Sequence, residues 1–377
     1  MVKPELNELK KLFTPRNCAI SRICGCYVDG EKNIKTTFNE SFLNLPEEEE
    51  FKYFEILRKA LSGNIGKNAL NLSFPNEAEQ DGGTQDFLYK LRASELKDEA
   101  LLTQFYDMVI NYYDYVGNYL ILLIKDAYDV PNKTTDGIIN DESDTVYDYI
   151  MCCICPVNLS KPGLSYNTDS NEFHNRVRDW VVDLPEAAFL FPSFNDRASD
   201  IHECMYYIKN SEEMHDAFVE GVLGCSLSLT AKTQMATFQA LIEETLGDDV
   251  KYDVVQNIHE SLNDMEVEHK NREIAEPLTL NKKEVKNLFE QAGVQDEKLE
   301  IFDKLYDATA GEDTKLYVSN LHNTRAYEVK TPDVVIKVNP ERADLVRCDT
   351  IDGRKVLIIE INDQVEVNGI EVKLSEN

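Results

Sequence analysis

The sequence predicts an α+β fold in which helices flank a mainly antiparallel sheet, followed by an acidic helical segment and a small C-terminal β module. Three observations carry this. Apolar runs with strand character cluster between Asn118 and Asn210 and are joined by stretches too short for crossover helices. Apolar residues then recur at three- and four-residue spacing from Met214 to Met265. Beyond Lys315, short alternating segments are separated by Asp352-Gly353 and Asn368-Gly369, which are hairpin turn signals.

Taken in order, Pro4 to Phe13 reads as a helix and Cys18 to Val28 as a strand turned by Asp29-Gly30 into Ile34 to Phe38. Leu45-Pro46 and the four glutamates Glu47 to Glu50 open a second helix, because proline is tolerated in a first turn and acidic groups favour the positive end of the helix dipole. Ala69 to Phe74 is a short strand, and Gln85 to Arg92 and Leu96 to Val116 are helices. The sheet continues through Tyr119 to Ile124, Tyr147 to Val157, Trp180 to Leu184, Phe189 to Phe194 and Cys204 to Ile208. Helices are expected at Met214 to Leu223, through Met235 and Leu246, and through Val255 and Met265. Two more follow, one capped by Asn281 with Glu284 three residues on, the other by Asp296. Domain limits are placed at 1–229, 230–313 and 314–377.

Charge narrows the function. The 377 residues hold 69 acidic and 39 basic side chains, a net charge of −30, so phosphate backbones and anionic lipids are repelled and direct DNA binding is not expected. From Leu241 to Asp313 there are 20 acidic residues against 8 basic ones, the strongest acidic field in the chain. Such a surface keeps the protein dissolved, and it also suits a basic protein or ribonucleoprotein partner. The first residues alternate Lys and Glu without an apolar core, and the longest apolar run is far short of a membrane span, so a cytoplasmic protein with no membrane partner is expected. Nine cysteines, an odd number spread over a long chain, point to a reducing compartment rather than a disulfide framework.

Two groups of residues are candidates for chemistry. Cys18, Cys24 and Cys26 share one parity on the first strand, and Cys152, Cys153 and Cys155 mark another, so a metal or redox site arises if the two strands are neighbours. Neither group has the Cys-x-x-Cys spacing with which a loop wraps zinc, and cysteine is also a common apolar filler. Asp126 and Asp129 follow one apolar strand, and Asp196, Arg197, Asp200 and His202 follow another. If these loops converge, they form an acid–base or phosphate site for a small polar or phosphorylated substrate. The plainer account makes them Asx turns, caps and loop ties. No phosphate loop, zinc-hydrolase pair or serine elbow is present, so no motif assigns a cofactor or a nucleophile. With no catalytic signature, a non-enzymatic binding or regulatory factor leads.

The strings Cys18 to Lys32, Tyr115 to Ile124 and Cys155 to Gly163, with Phe191 to Arg197 and Thr331 to Val335 onward to Asn368-Gly369, resemble a domain-of-unknown-function family of Gram-positive anaerobic bacteria. The resemblance spans nearly the whole chain. It implies a bacterial cytoplasmic protein of this full-length layout and brings no activity or site residue with it.

Overall fold

A computed structural model of the chain describes residues 1–133, 139–225, 227, 229–247, 250–312, 314–361, 364–367 and 369–372. Asn368 of the expected last turn, Asp313 at a domain limit, and Asp248 and Asp249 of the acidic segment lie outside the described residues. The chain divides into two compact units, Met1–Thr230 and Ala231–Asn377. The fold class is α+β, as the strand and helix patterns predict.

Unit 1 runs α1 (Lys3–Lys10), β1 (Arg22–Val28), β2 (Ile34–Ser41), α2 (Glu47–Ala60), β3 (Ala69–Ser73), α3 (Thr84–Ala93), α4 (Glu99–Tyr112), β4 (Asn118–Lys133) and β5 (Ile139–Leu159). It continues through the hairpin β6 (Leu164–Asn167) and β7 (Glu172–Asn175), then β8 (Trp180–Val182), β9 (Ala187–Phe191), β10 (Ser193–Asn195), β11 (Ala198–Asp200), β12 (Glu203–Ile208) and α5 (Asp216–Phe218). Eight of these strands form one antiparallel sheet in the order β2-β1-β4-β5-β9-β12-β3, with β8 also on β5, while β6–β7 and β10–β11 are separate two-stranded pairs.

Because successive side chains of a strand point to opposite faces, β4 fills two cores at once. Tyr119, Ile121 and Leu123 meet α3 and α4, while Leu120, Leu122 and Ile124 meet α1 and α2. A strand covered on both sides reads as an unbroken apolar run, as Tyr119 to Ile124 does. Asp98 starts α4 by accepting from the backbone N–H groups of Ala100 and Leu101 at 2.9 and 3.2 Å, so the helix begins three residues later than its apolar period suggests. Gly25 on β1 lies under the Phe38 ring of β2: a Cβ there would stand 2.1 Å from Phe38 Cε1. The expected helix from Met214 is only α5 followed by a π-helical turn, Val219–Leu223.

Unit 2 comprises α6 (Ala231–Leu246), α7 (Tyr252–Asn271), β13 (Thr279–Leu280), α8 (Lys282–Gln291), α9 (Asp296–Leu299), α10 (Phe302–Thr309), β14 (Leu316–Tyr317) and α11 (Val318–Leu321). Three hairpins follow: β15 (Tyr327–Lys330) with β16 (Val335–Val338), β17 (Val346–Ile351) with β18 (Arg354–Ile359), and β19 (Val365–Val367) with β20 (Ile370–Val372). Asn281 and Glu284 close the expected capping box on α8. The residue capping α9 is Gln295, with Asp296 already inside the helix, which corrects the expected cap by one position. A Phe238, Phe289, Phe302 and Tyr306 aromatic chain fills the helical core.

Candidate functional site

Adjacent residues of β4, Lys125 and Asp126, point to opposite faces and are both buried, at 6% and 1% exposure. Lys125 pairs with Asp148, whose carbonyl accepts from Arg92 at 3.1 Å. Asp126 lies opposite Tyr149 of β5. The Tyr149 hydroxyl donates to its Oδ2 at 2.7 Å and the Ala127 N–H to its Oδ1 at 2.8 Å. Burial nevertheless dominates, and the carboxyl is pushed up to about 6. Tyr147 stacks on Tyr149, ring centroids 4.7 Å apart, and donates to the Pro192 carbonyl. Asp126, Tyr128, Asp129 and Asn17 line a pocket of about 310 Å³.

Arg197 reaches the same neighbourhood. Its guanidinium donates to Glu8 of α1 at 2.8 to 3.2 Å, and the Tyr128 hydroxyl donates to Glu8 Oε1 at 2.9 Å. Glu8 thus ties the β10–β11 turn to the segment that carries Asp126 and Asp129. Asp196 is exposed, and together with Arg197 it forms the tight turn at positive φ, 50° and 58°. Asp200 accepts from the Asn195 amide at 2.8 Å, and Asn195 also receives the buried Met1 amine and donates to Glu203 at 2.9 Å. His202 lies in solvent with Nδ1 2.6 Å from Glu79, a contact that raises its pKa. The loops meet through Glu8, and Asp200 and His202 are engaged by Asn195 and Glu79 respectively.

The cysteine strands are not neighbours, because β4 lies between β1 and β5. On the shared face Leu123 separates Cys24 from Cys152. Two strand spacings amount to about 10 Å, whereas a shared zinc needs sulfurs about 2.3 Å from the metal. Cys153 and Cys155 face the opposite core, and Cys18 precedes β1 and packs against that core too, so the shared parity expected of Cys18 with Cys24 and Cys26 does not hold. Burial pushes the Cys18 thiol up to about 11 and Cys24 and Cys26 up to about 12, which leaves them protonated and poor ligands or nucleophiles at neutral pH. Among the described residues no group of three or more His, Cys, Asp or Glu side chains is arranged to hold a metal ion.

Unit 2 holds a site that the sequence patterns did not single out. Its pocket, about 250 Å³, is lined by residues of α6 and α7 and by Leu321, His322, Tyr327 and Pro340 among others. His259 and Glu260 come from α7; burial, reinforced by His322, pushes His259 down to about 4. His322, 6% exposed, makes no hydrogen bond through Nε2 among the described residues, and Glu266 Oε2 stands 3.6 Å away. Tyr327 packs edge-on to His259 at 6.2 Å. The signal available in the sequence was His259 itself, four residues after Val255 and three before Leu262, hence on the apolar side of a helix.

No described helix is long and apolar enough to cross a membrane. No curated protein matches the sequence. A family model described as Domain of unknown function (DUF4317) matches residues 1–370, and the chain belongs to that family.

Proposed function

We propose that this member of the DUF4317 family is a non-enzymatic binding protein whose partner is a basic protein segment seated in an acidic-rimmed apolar groove of unit 1. The observation that supports it is the excursion between β5 and β9. There Leu164, Phe173, Val177 and Trp180 are 77%, 72%, 76% and 54% exposed. Apolar side chains gathered on one excursion differ from single exposed ones and are typical of interaction surfaces. The groove beside it, about 690 Å³, has Trp180, Val182, Leu184 and Ile56 in its walls, with Glu49, Glu55 and Asp183 set against one cation, Lys52, among the described residues. Apolar anchors flanked by Lys or Arg fit that lining, and the net charge of −30 steers such a partner inward. Among the described residues β8 pairs only with β5, which leaves an edge for an extended segment.

The test is affinity capture of the intact chain from a lysate of its source organism across a salt series, beside Trp180→Ala and Leu184→Lys and with and without nuclease. The expected result is one basic protein, retained at low salt, released as salt rises, and lost with both variants. Capture that ignores both substitutions, or no capture at any salt, overturns the reading. Loss on nuclease treatment replaces it with a ribonucleoprotein partner.

A second reading, an enzyme acting on a small polar substrate, is favoured by one observation: the Asp126 carboxyl, raised to about 6 beside Tyr149, lines a pocket. A group poised near neutrality suits proton transfer. Arg197, already engaged by Glu8, gives no support to a phosphorylated substrate. Turnover in a broad substrate screen that disappears with Asp126→Asn supports this reading, and turnover indifferent to that substitution removes it.

A further inference from the structure

The unit 2 pocket combines concavity, an orphaned buried nitrogen and a one-sided charge. We propose that it binds a small organic cation, a molecule bearing a protonated amine or guanidinium, which Glu260 and His322 Nε2 receive beside the Tyr327 ring. The space, about 250 Å³, is roughly eight waters' worth at about 30 Å³ each. Its walls mix Met235, Val255, Leu321 and Pro340 with a few convergent polar groups, the usual make-up of a small-molecule site.

His322 supplies the observation that points to a ligand. It lines the pocket, it is 6% exposed, and among the described residues Nε2 has no hydrogen-bond partner. Glu266 Oε2, at 3.6 Å, is too distant for a direct hydrogen bond. In the tautomer protonated at Nδ1, Nε2 carries a lone pair that an N–H donor of the ligand would satisfy, with the Glu266 carboxylate beside it.

Charge selects the class. Among the described residues the lining contains two carboxylates, Glu260 and Glu328, and neither lysine nor arginine. Glu328 is paired with Lys337 at 2.9 Å, but Glu260 accepts from the neutral amide of Gln256 at 2.9 Å and has no cationic partner among the described residues. His259, held down to about 4, brings no positive charge at neutral pH. An anion would therefore meet carboxylates and no lining cation, whereas a cation meets Glu260 and an aromatic ring.

The experiment is calorimetric titration of the intact chain at neutral pH with putrescine and agmatine, with butane-1,4-diol and succinate as neutral and anionic controls of similar length. The amines are expected to bind saturably and the controls not. Glu260→Gln, which preserves shape and removes one of 69 acidic groups, is expected to weaken binding by about tenfold or more, and His322→Phe to do the same. Thermal unfolding is recorded for both variants, and Glu260→Gln carries the test if the buried substitution does not fold. Amine binding unchanged by Glu260→Gln, tighter binding of succinate, or no amine binding up to about 10 mM overturns the proposal. The residues belong to unit 2, so such a failure leaves the groove of unit 1 and its proposed partner untouched.

Discussion

The two units solve the burial problem differently. Unit 1 puts one antiparallel sheet between two helical layers, so that every central strand supplies both cores: Cys152 and Ile154 to one, Met151 and Cys153 to the other. Unit 2 buries a helical core, but its three C-terminal hairpins are separate pairs, with Ile351, Ile359 and Ile370 51%, 47% and 68% exposed. In unit 1 a side chain is fixed by partners far away in sequence, and in the hairpins mainly by the strand beside it. Long-range cover brings Asp126 together with Tyr149, and local pairing leaves apolar residues in water.

The largest expected effect separates these cases. Phe189 is fully buried and packs edge-on against Phe105 at 6.1 Å, so Phe189→Ala is expected to destabilise unit 1 by about 3–5 kcal/mol through lost transfer energy and a cavity. Ile359→Ala, at an exposed hairpin position, is expected to change stability by no more than about 0.5 kcal/mol. Urea unfolding of each variant measures both. A cost for Ile359→Ala approaching that of Phe189→Ala would break the comparison, because it would mean that the hairpins are covered in solution.

Next come two buried titrating groups with opposite signs. The folded Asp126 carboxyl, at about 6, lies above its ordinary 3.8, so the folded protein holds that proton more tightly and loses stability as pH rises from about 4 to 6. Near 1.4 kcal/mol per pKa unit, the full penalty above that window is about 3 kcal/mol. His259, at about 4 against 6.5, does the reverse: its contribution is whole above 6.5 and is lost as pH falls toward 4. Allowing for its partial exposure, that loss is about 2–3 kcal/mol. Segment-resolved hydrogen exchange, corrected for intrinsic rates, is expected to show β4 and β5 gaining protection on acidification while α7 loses it. Asp126→Asn should flatten the first trend and raise stability at high pH by about 1–2 kcal/mol, since the amide gives up one of two accepted hydrogen bonds. His259→Phe should flatten the second. Parallel trends in both units would refute the assignment.

These contrasts also explain what the sequence made legible. Elements set by local chemistry were readable: the Asp29 hairpin, the Asp352-Gly353 turn, the Asn281 capping box and the apolar run of β4. Asp126 was readable as an acid after a core strand, but its partners were not, since Tyr149 lies 23 residues away and Tyr128 meets Glu8 across 120. Parity arguments failed at Cys18 because β1 begins only at Arg22, and no parity rule reveals that β4 separates the cysteine strands. The His322 pocket needs residues from α6 to Ala343, a convergence that no local pattern encodes.

The smallest expected effect tests whether locality itself behaves alike in the two units. Asn281 accepts from the Glu284 N–H at 3.0 Å to start α8, and Asp98 accepts from Ala100 and Leu101 to start α4. A cap satisfies backbone donors within one turn, so its worth depends little on the core beyond it. Asn281→Ala and Asp98→Ala are each expected to cost about 1 kcal/mol. Thermal unfolding with hydrogen exchange resolved to α4 and α8 measures both. Equal costs would locate the difference between the units in their cores alone. A much larger loss at Asn281 would show that unit 2, whose hairpins leave Ile351, Ile359 and Ile370 exposed, depends on the ends of its helices for stability that unit 1 draws from its sheet.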